Sequence, residues 1–138
     1  GRGGIINVCS TASFAAAPRM AAYNVSKAAA LALSETLAAE MAGTGIAVTA
    51  LCPTFVKTNI ARDGRITAGS SRMAEKIMDW IGFAPERVVK TTLDALDKNQ
   101  LYVLPQFDAR MIWRSKRLAP ALYARGAGLI NRYAGSSL

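Results

Sequence analysis

A chain of 138 residues with 51% hydrophobic and 19% charged residues has the composition of a folded globular protein and not of a disordered one. Its apolar runs are broken by Pro, Gly or charge before they reach the length of a membrane span, and its first residues read as a short glycine-flanked apolar run without a secretory leader, so a cytoplasmic location is expected. Histidine is absent, which excludes Ser-His-Asp and Cys-His catalysis and His-dependent zinc sites, and no metal site is expected.

In chain order, "GIINVCS" (4–10) is a nearly continuous apolar run with β-branched residues, which predicts a strand buried on both faces. From Ala21 to Met41 there is neither Gly nor Pro, and Ala, Leu, Ser and Glu predominate, so a long helix is expected, stopped by "GTG" at 43–45. "IAVTALC" (46–52) predicts a second buried strand, ended by Pro53. A polar stretch with Gly64 and Gly69 follows, then a helix expected over Ser71 to Ile81. "APERVVKTTLDALDK" (84–98) has Pro near its first turn and amphipathic spacing, and "QLYVLP" (100–105) reads as a third short strand. Strands alternating with helices imply parallel pairing through right-handed crossovers, hence a layered α/β sheet. Cys9 and Cys52 each end an apolar stretch and are expected to be buried and reduced.

The net charge is +8, and from Gln106 onward six Lys/Arg face one Asp, so the tail carries +5 and the first 105 residues carry +3. Basic character is therefore a property of the tail, and nucleic acid is not an expected partner. The stretch 106–138 interleaves Met111, Ile112, Trp113, Leu118, Leu122 and Tyr123 with arginine and lysine, a pattern suited to an anionic membrane surface or to packing. Pro120, Gly126 and Gly128 interrupt it, and packing on the domain or a partner is favoured over peripheral membrane contact. The long helix has charge only at Lys27, Glu35 and Glu40, which suggests cover on two sides, one by the sheet and one by a partner subunit in a dimer or tetramer.

The chemistry centres on "YNVSK" (23–27), where a phenol and an ammonium stand one helical turn apart on one face. A phenol with the ordinary pKa of about 10 is a poor base at neutral pH unless a nearby cation favours phenolate, and Lys27 is such a cation. A shift of ~3 units corresponds to ~4 kcal/mol, more than one solvated ammonium supplies, so a second cation or desolvation must contribute. Tyr-x-x-x-Lys alone is a weak signal. Its context adds Ser10, thirteen residues before Tyr23 at the carboxyl end of the preceding strand, where open parallel sheets bind ligands. Ser13 is the rival hydroxyl, while Thr11 and Ser26 read as structural.

Together, "INVCS", "YNVSK" and "CPTFVKTNI" resemble the C-terminal half of a single-domain short-chain dehydrogenase/reductase. The resemblance is specific over about residues 3–60 and looser to about 105. It implies a Rossmann-like doubly wound parallel sheet, with 1–105 as the C-terminal half of the catalytic domain and 106–138 as a basic tail. The roles it implies are Tyr23 as general acid/base, Lys27 on the nicotinamide ribose and lowering the tyrosine pKa, and Ser10 positioning the substrate carbonyl. It places Pro53, Val56 and Thr58 in the loop against the nicotinamide, with Val56 main chain and Thr58 side chain on the carboxamide. The family's usual Pro-Gly is Pro-Thr here, so the backbone at Thr54 must take an ordinary φ. The implied cofactor is NADP or NAD, the substrate a small-molecule carbonyl or alcohol, and the assembly a homodimer or homotetramer. The family's glycine-rich phosphate loop has no counterpart in "GRGG", which precedes a strand. The sequence therefore reads as a fragment, expected to bind cofactor poorly by itself and to leave the first strand's edge bare. A non-catalytic or truncated member acting in assembly or at a membrane surface is the alternative reading. A sugar-nucleotide epimerase shares the Tyr-Lys spacing but carries a longer substrate domain. Substrate choice is expected between Thr58 and Ile81, where Met73, Ile77, Met78, Trp80 and Ile81 offer an apolar wall.

Overall fold

The computed structural model describes residues 1–56 and 83–134. The expected helix at 71–81 and its apolar wall lie outside the described residues. Three parallel strands, β1 (Gly3–Val8), β2 (Ile46–Leu51) and β3 (Tyr102–Val103), form one sheet in the order β1-β2-β3. Gly3 is opposite Ile46 and Val8 opposite Leu51, while Ala50 and Leu51 pair with Tyr102 and Val103. Helices α1 (Ala12–Ala15) and α2 (Ala21–Glu40) connect β1 to β2. Helix α3 (Pro85–Asp97) precedes β3, and α4 (Phe107–Leu118) and α5 (Pro120–Ala134) follow it.

Period-two alternation along the central strand divides the core into two layers. Ala50 and Cys52 face α2 and pack with Cys9 and Leu31, bordered by Phe14, Tyr102 and Trp113. Leu51 points the other way and joins Val103 with Val88 and Ala95 of α3. Helix α3 starts with Pro85 in its first turn and buries Val88, Thr92 and Ala95, a spacing of four and three that makes one stripe. Gly4 lets that helix approach β1: a Cβ there would sit 2.7 Å from a methyl of Leu96. Gly43 and Gly45, with φ of +80° and +83°, turn the chain from α2 into β2.

Two expectations need correction. The first strand is not buried on both faces, since Ile6 is 37% and Val8 62% exposed. It lies at the edge of the three-stranded order, so an apolar run that fits a central strand is here only half covered. The third strand is two residues long, because Ala50 and Cys52 donate to Leu101 O and Val103 O and Pro105 ends the extended run soon after. Both cysteines are buried and unpaired, as expected.

Candidate active site at the carboxyl end of the sheet

Helix α2 is fastened to the sheet by one buried hydroxyl. Ser34, fully buried, accepts from Asn7 Nδ2 at 2.9 Å and donates to Ala30 O, and it lies 4.0 Å from Cys9 Sγ. Leu31 is buried one turn earlier. Steps of three and four residues carry the same stripe onward through Lys27 to Tyr23, so the face that grips the sheet at Ser34 overhangs the strand ends at Tyr23. Lys27 Nζ donates to Val8 O at 2.9 Å and stands 5.9 Å from the centre of the Tyr23 ring. Tyr23 is 39% exposed. Val8 closes β1, and Ser10 follows two residues later, so the ammonium ties the phenol's helix to the strand end that carries the serine.

Ser10 is nearly buried and its turn is closed by its own neighbours. Its Oγ accepts from Ala12 N at 3.1 Å, its carbonyl accepts from Ser13 N at 2.9 Å, and its N–H donates to Ser13 Oγ at 3.2 Å. Both hydroxyl oxygens thus accept a backbone N–H, Ser10 from Ala12 and Ser13 from Ser10, and Ser10 keeps its hydroxyl proton for another acceptor. Thr11 fixes the next contact: its N–H and its Oγ1 both donate to Pro53 O, at 2.9 Å each. The turn after β1 and the loop after β2 are therefore joined directly.

That loop is held from a second side by residues that motif reading passed over. Gln106, 3% exposed, accepts from Thr54 N at 3.2 Å through Oε1 and donates to Phe55 O at 2.8 Å through Nε2. Asp108, in the first turn of α4, accepts from Thr54 Oγ1 at 3.1 Å. Their positions, more than fifty residues from the loop in sequence, gave no local signal. Thr54 is not among the described residues with positive φ, which are Ala16, Arg19 and Asn99 besides Gly43 and Gly45. A β-branched residue is therefore accommodated where Pro-Gly would be usual. Phe83 N donates to Phe55 O at 3.1 Å in a bridge opposite Val56, so this contact leaves the N–H of Val56 uncommitted. Thr58 lies outside the described residues.

The tail closes over the same turn. Phe14 meets Trp113 edge-on at 4.8 Å, Lys116 Nζ donates to Phe14 O, and Tyr123 OH donates to Ala15 O at 2.9 Å. Arg117 stacks on Trp113 with its guanidinium carbon 4.0 Å from the ring. Tyr102 OH donates to Glu35 at 2.6 Å, and burial first, then the Glu35 carboxylate, pushes that phenol above its ordinary pKa. Burial alone raises Tyr123. A cleft of about 530 Å³ between α3, β3 and α4 is lined by Asp94, Lys98, Arg110 and Trp113. None of Ser10, Tyr23 and Lys27 lines it, so it is separate from the carboxyl-end site.

The family model described as short chain dehydrogenase matches residues 1–68, the segment that contains Ser10, Tyr23, Lys27 and the Pro53 loop. Dehydrogenase/reductase SDR family member 4 of Homo sapiens is 44% identical over 62 residues, covering 45% of this chain and 22% of that protein. The chain belongs to the short-chain dehydrogenase/reductase family. The 2-(R)-hydroxypropyl-CoM dehydrogenase of Xanthobacter autotrophicus is 43% identical over 58 residues, covering 42% of this chain and 23% of that protein. Among solved short-chain dehydrogenases, one from Burkholderia phymatum in complex with NAD superposes with a TM-score of 0.75 at 25% identity. It covers 88% of this chain and 49% of its own. Another, from Burkholderia cenocepacia in complex with NADP, gives 0.69 at 29% identity, over 90% of this chain and 48% of its own. The chain thus spans about a quarter or less of these two curated relatives and about half of the solved ones. In this short-chain dehydrogenase/reductase the parallel sheet and its flanking helices are those of the Rossmann-like family fold.

Proposed function

We propose that this chain supplies the proton-transfer half of an NAD- or NADP-dependent oxidoreductase acting on a carbonyl or alcohol, with Ser10, Tyr23 and Lys27 as its catalytic residues. The observation that carries the proposal is the Lys27 ammonium, set against the Tyr23 ring and anchored to Val8 O beside Ser10. The donor set suits a nicotinamide nucleotide. Lys27 commits one of its three protons to Val8 O and has two for ribose hydroxyls. The N–H of Val56, which the bond from Phe83 to Phe55 O does not use, suits a carboxamide oxygen, and Pro53 and Thr58 belong to the same proposed contact.

The cofactor, when bound, supplies or accepts hydride at the substrate carbon. Tyr23 trades the proton on the substrate oxygen: it donates as a carbonyl is reduced and accepts as an alcohol is oxidised. Lys27, 5.9 Å from the centre of the Tyr23 ring, holds the turn of α2 that carries the phenol against the end of β1. Ser10 donates its free hydroxyl proton to the same substrate oxygen and fixes its direction. The exposed side of α2, with Val25 69% and Leu33 54% exposed, is the proposed contact between subunits of a homodimer or homotetramer.

The test is made in the full-length protein, following oxidation of NADH and NADPH with a panel of ketones and measuring cofactor binding separately by fluorescence. Tyr23→Phe is expected to lower turnover by about 10³-fold while leaving cofactor affinity within about twofold, the range for losing a general acid. Lys27→Ala is expected to weaken both. A Tyr23→Phe enzyme with full activity would remove Tyr23 as proton donor.

A further inference from the structure

Helix α5 has two faces with different fates. Tyr123 and Ala127 are half-buried, and the bond from Tyr123 to Ala15 O fastens that side to the body of the protein. Leu122, Leu129 and Ile130 are 68%, 54% and 71% exposed. Leu122 and Leu129 are seven residues apart and stack two turns from each other along the outer face. Arg125 and Arg132, also seven apart and both exposed, form a parallel row beside them. Leu118, 85% exposed, stands at the joint just before this helix.

The charge on this surface is one-sided. Helix α5 contains no acidic residue, and Asp108, the one acid after Gln106, accepts from Thr54. Among the described residues the salt bridge is Lys90 with Asp94, so neither Arg125 nor Arg132 is matched by a carboxylate. A second copy seated on this face by two-fold symmetry would bring the same uncompensated arginines together. A convex ridge of aliphatic side chains bordered by arginines instead matches a layer with negative headgroups above an apolar interior. Among the described residues no helix is long and apolar enough to cross a membrane, so the contact is a peripheral one.

We infer that the outer face of α5 docks on an anionic lipid surface, with Leu122 and Leu129 entering the headgroup boundary and Arg125 and Arg132 meeting the phosphates. Packing of the tail on the domain and contact with lipid are compatible, because they use opposite sides of one helix.

The experiment is co-sedimentation of the full chain with vesicles of phosphatidylcholine alone or containing about one-third phosphatidylglycerol. The anionic vesicles are expected to bind at least ~10-fold more protein, and added salt is expected to reduce the difference. Arg125→Gln with Arg132→Gln should abolish the preference for phosphatidylglycerol. Leu122→Ser with Leu129→Ser should lower binding to the anionic vesicles by ~10-fold or more while leaving the circular dichroism and thermal transition unchanged. Equal binding to both vesicle types, or unaltered binding by the folded leucine variant, would overturn the inference. So would a dimer, seen by sedimentation equilibrium, that the leucine substitutions dissolve, since that outcome assigns the face to a second copy.

Discussion

Replacing Gln106 tests how the loop beside the candidate site is held. Its side chain satisfies two main-chain groups, accepting from Thr54 N at 3.2 Å and donating to Phe55 O at 2.8 Å, from a position 3% exposed. Gln106→Leu preserves volume approximately and removes both bonds. Each orphaned backbone group costs about 1–3 kcal/mol when water cannot reach it. Phe55 O keeps the N–H of Phe83, so Thr54 N is the group left unpaired, and because Thr54 is half-buried water recovers part of its cost; the expected loss is about 1–2 kcal/mol in all. Urea unfolding of the full chain, followed by far-ultraviolet circular dichroism, measures it as a lower midpoint at unchanged slope. Gln106→Glu sharpens the test. A carboxylate keeps the acceptor for Thr54 N but sets a negative oxygen against Phe55 O, whereas the protonated acid restores the donor. Its native form therefore holds the proton more tightly than the unfolded chain, and the variant's stability relative to wild type falls as pH rises through the carboxylate range. A Gln106→Leu loss below about 0.5 kcal/mol, or a Gln106→Glu difference independent of pH, would refute the bonding assigned to Gln106.

Cys52 is completely buried, and its thiol is pushed from 9.0 to about 12, by burial first and by Cys9 second. The native state therefore keeps this proton between pH 9 and 12 while the unfolded state loses it, so the thiol's contribution to stability declines across that window. Cys52→Ala should flatten the alkaline limb of stability against pH, and a titration of thermal midpoints for both proteins checks it. Ser34→Ala removes the acceptor for Asn7 Nδ2 at the α2–β1 contact, with an expected loss of about 1 kcal/mol by denaturant titration. Gly45→Ala forces a side chain into φ +83° and should destabilise by about 1 kcal/mol or more, read in the same titration.

Local chemistry made the Tyr23 helix legible: twenty residues without Gly or Pro, bounded by a glycine turn, could hardly be anything else. The same run gave the side on which Lys27 sits, since helical spacing alone relates it to Tyr23. Strand β2 was legible because a central parallel strand is apolar on both faces and its sequence is continuously so. The exposure of Ile6 and Val8 was not, because an edge strand and a central strand share that composition and only the strand order separates them. Hydrogen bonds from Thr11 to Pro53 and from Thr54 to Gln106 join residues 42 and 52 positions apart. Such pairings follow from where the crossovers return the chain, and no short motif encodes them. The bonding of the two serines was equally hidden: each hydroxyl oxygen accepts a backbone N–H within the same turn.

The bonds from Lys116 to Phe14 and from Tyr123 to Ala15 span 102 and 108 residues. During synthesis the fasteners of the bend that carries Ser10 emerge more than a hundred residues after it. Closing so wide a loop late means that the turn after β1 is secured after the sheet behind it has formed. A nascent chain halted short of α4 would hold its strands in register while that turn stayed loose.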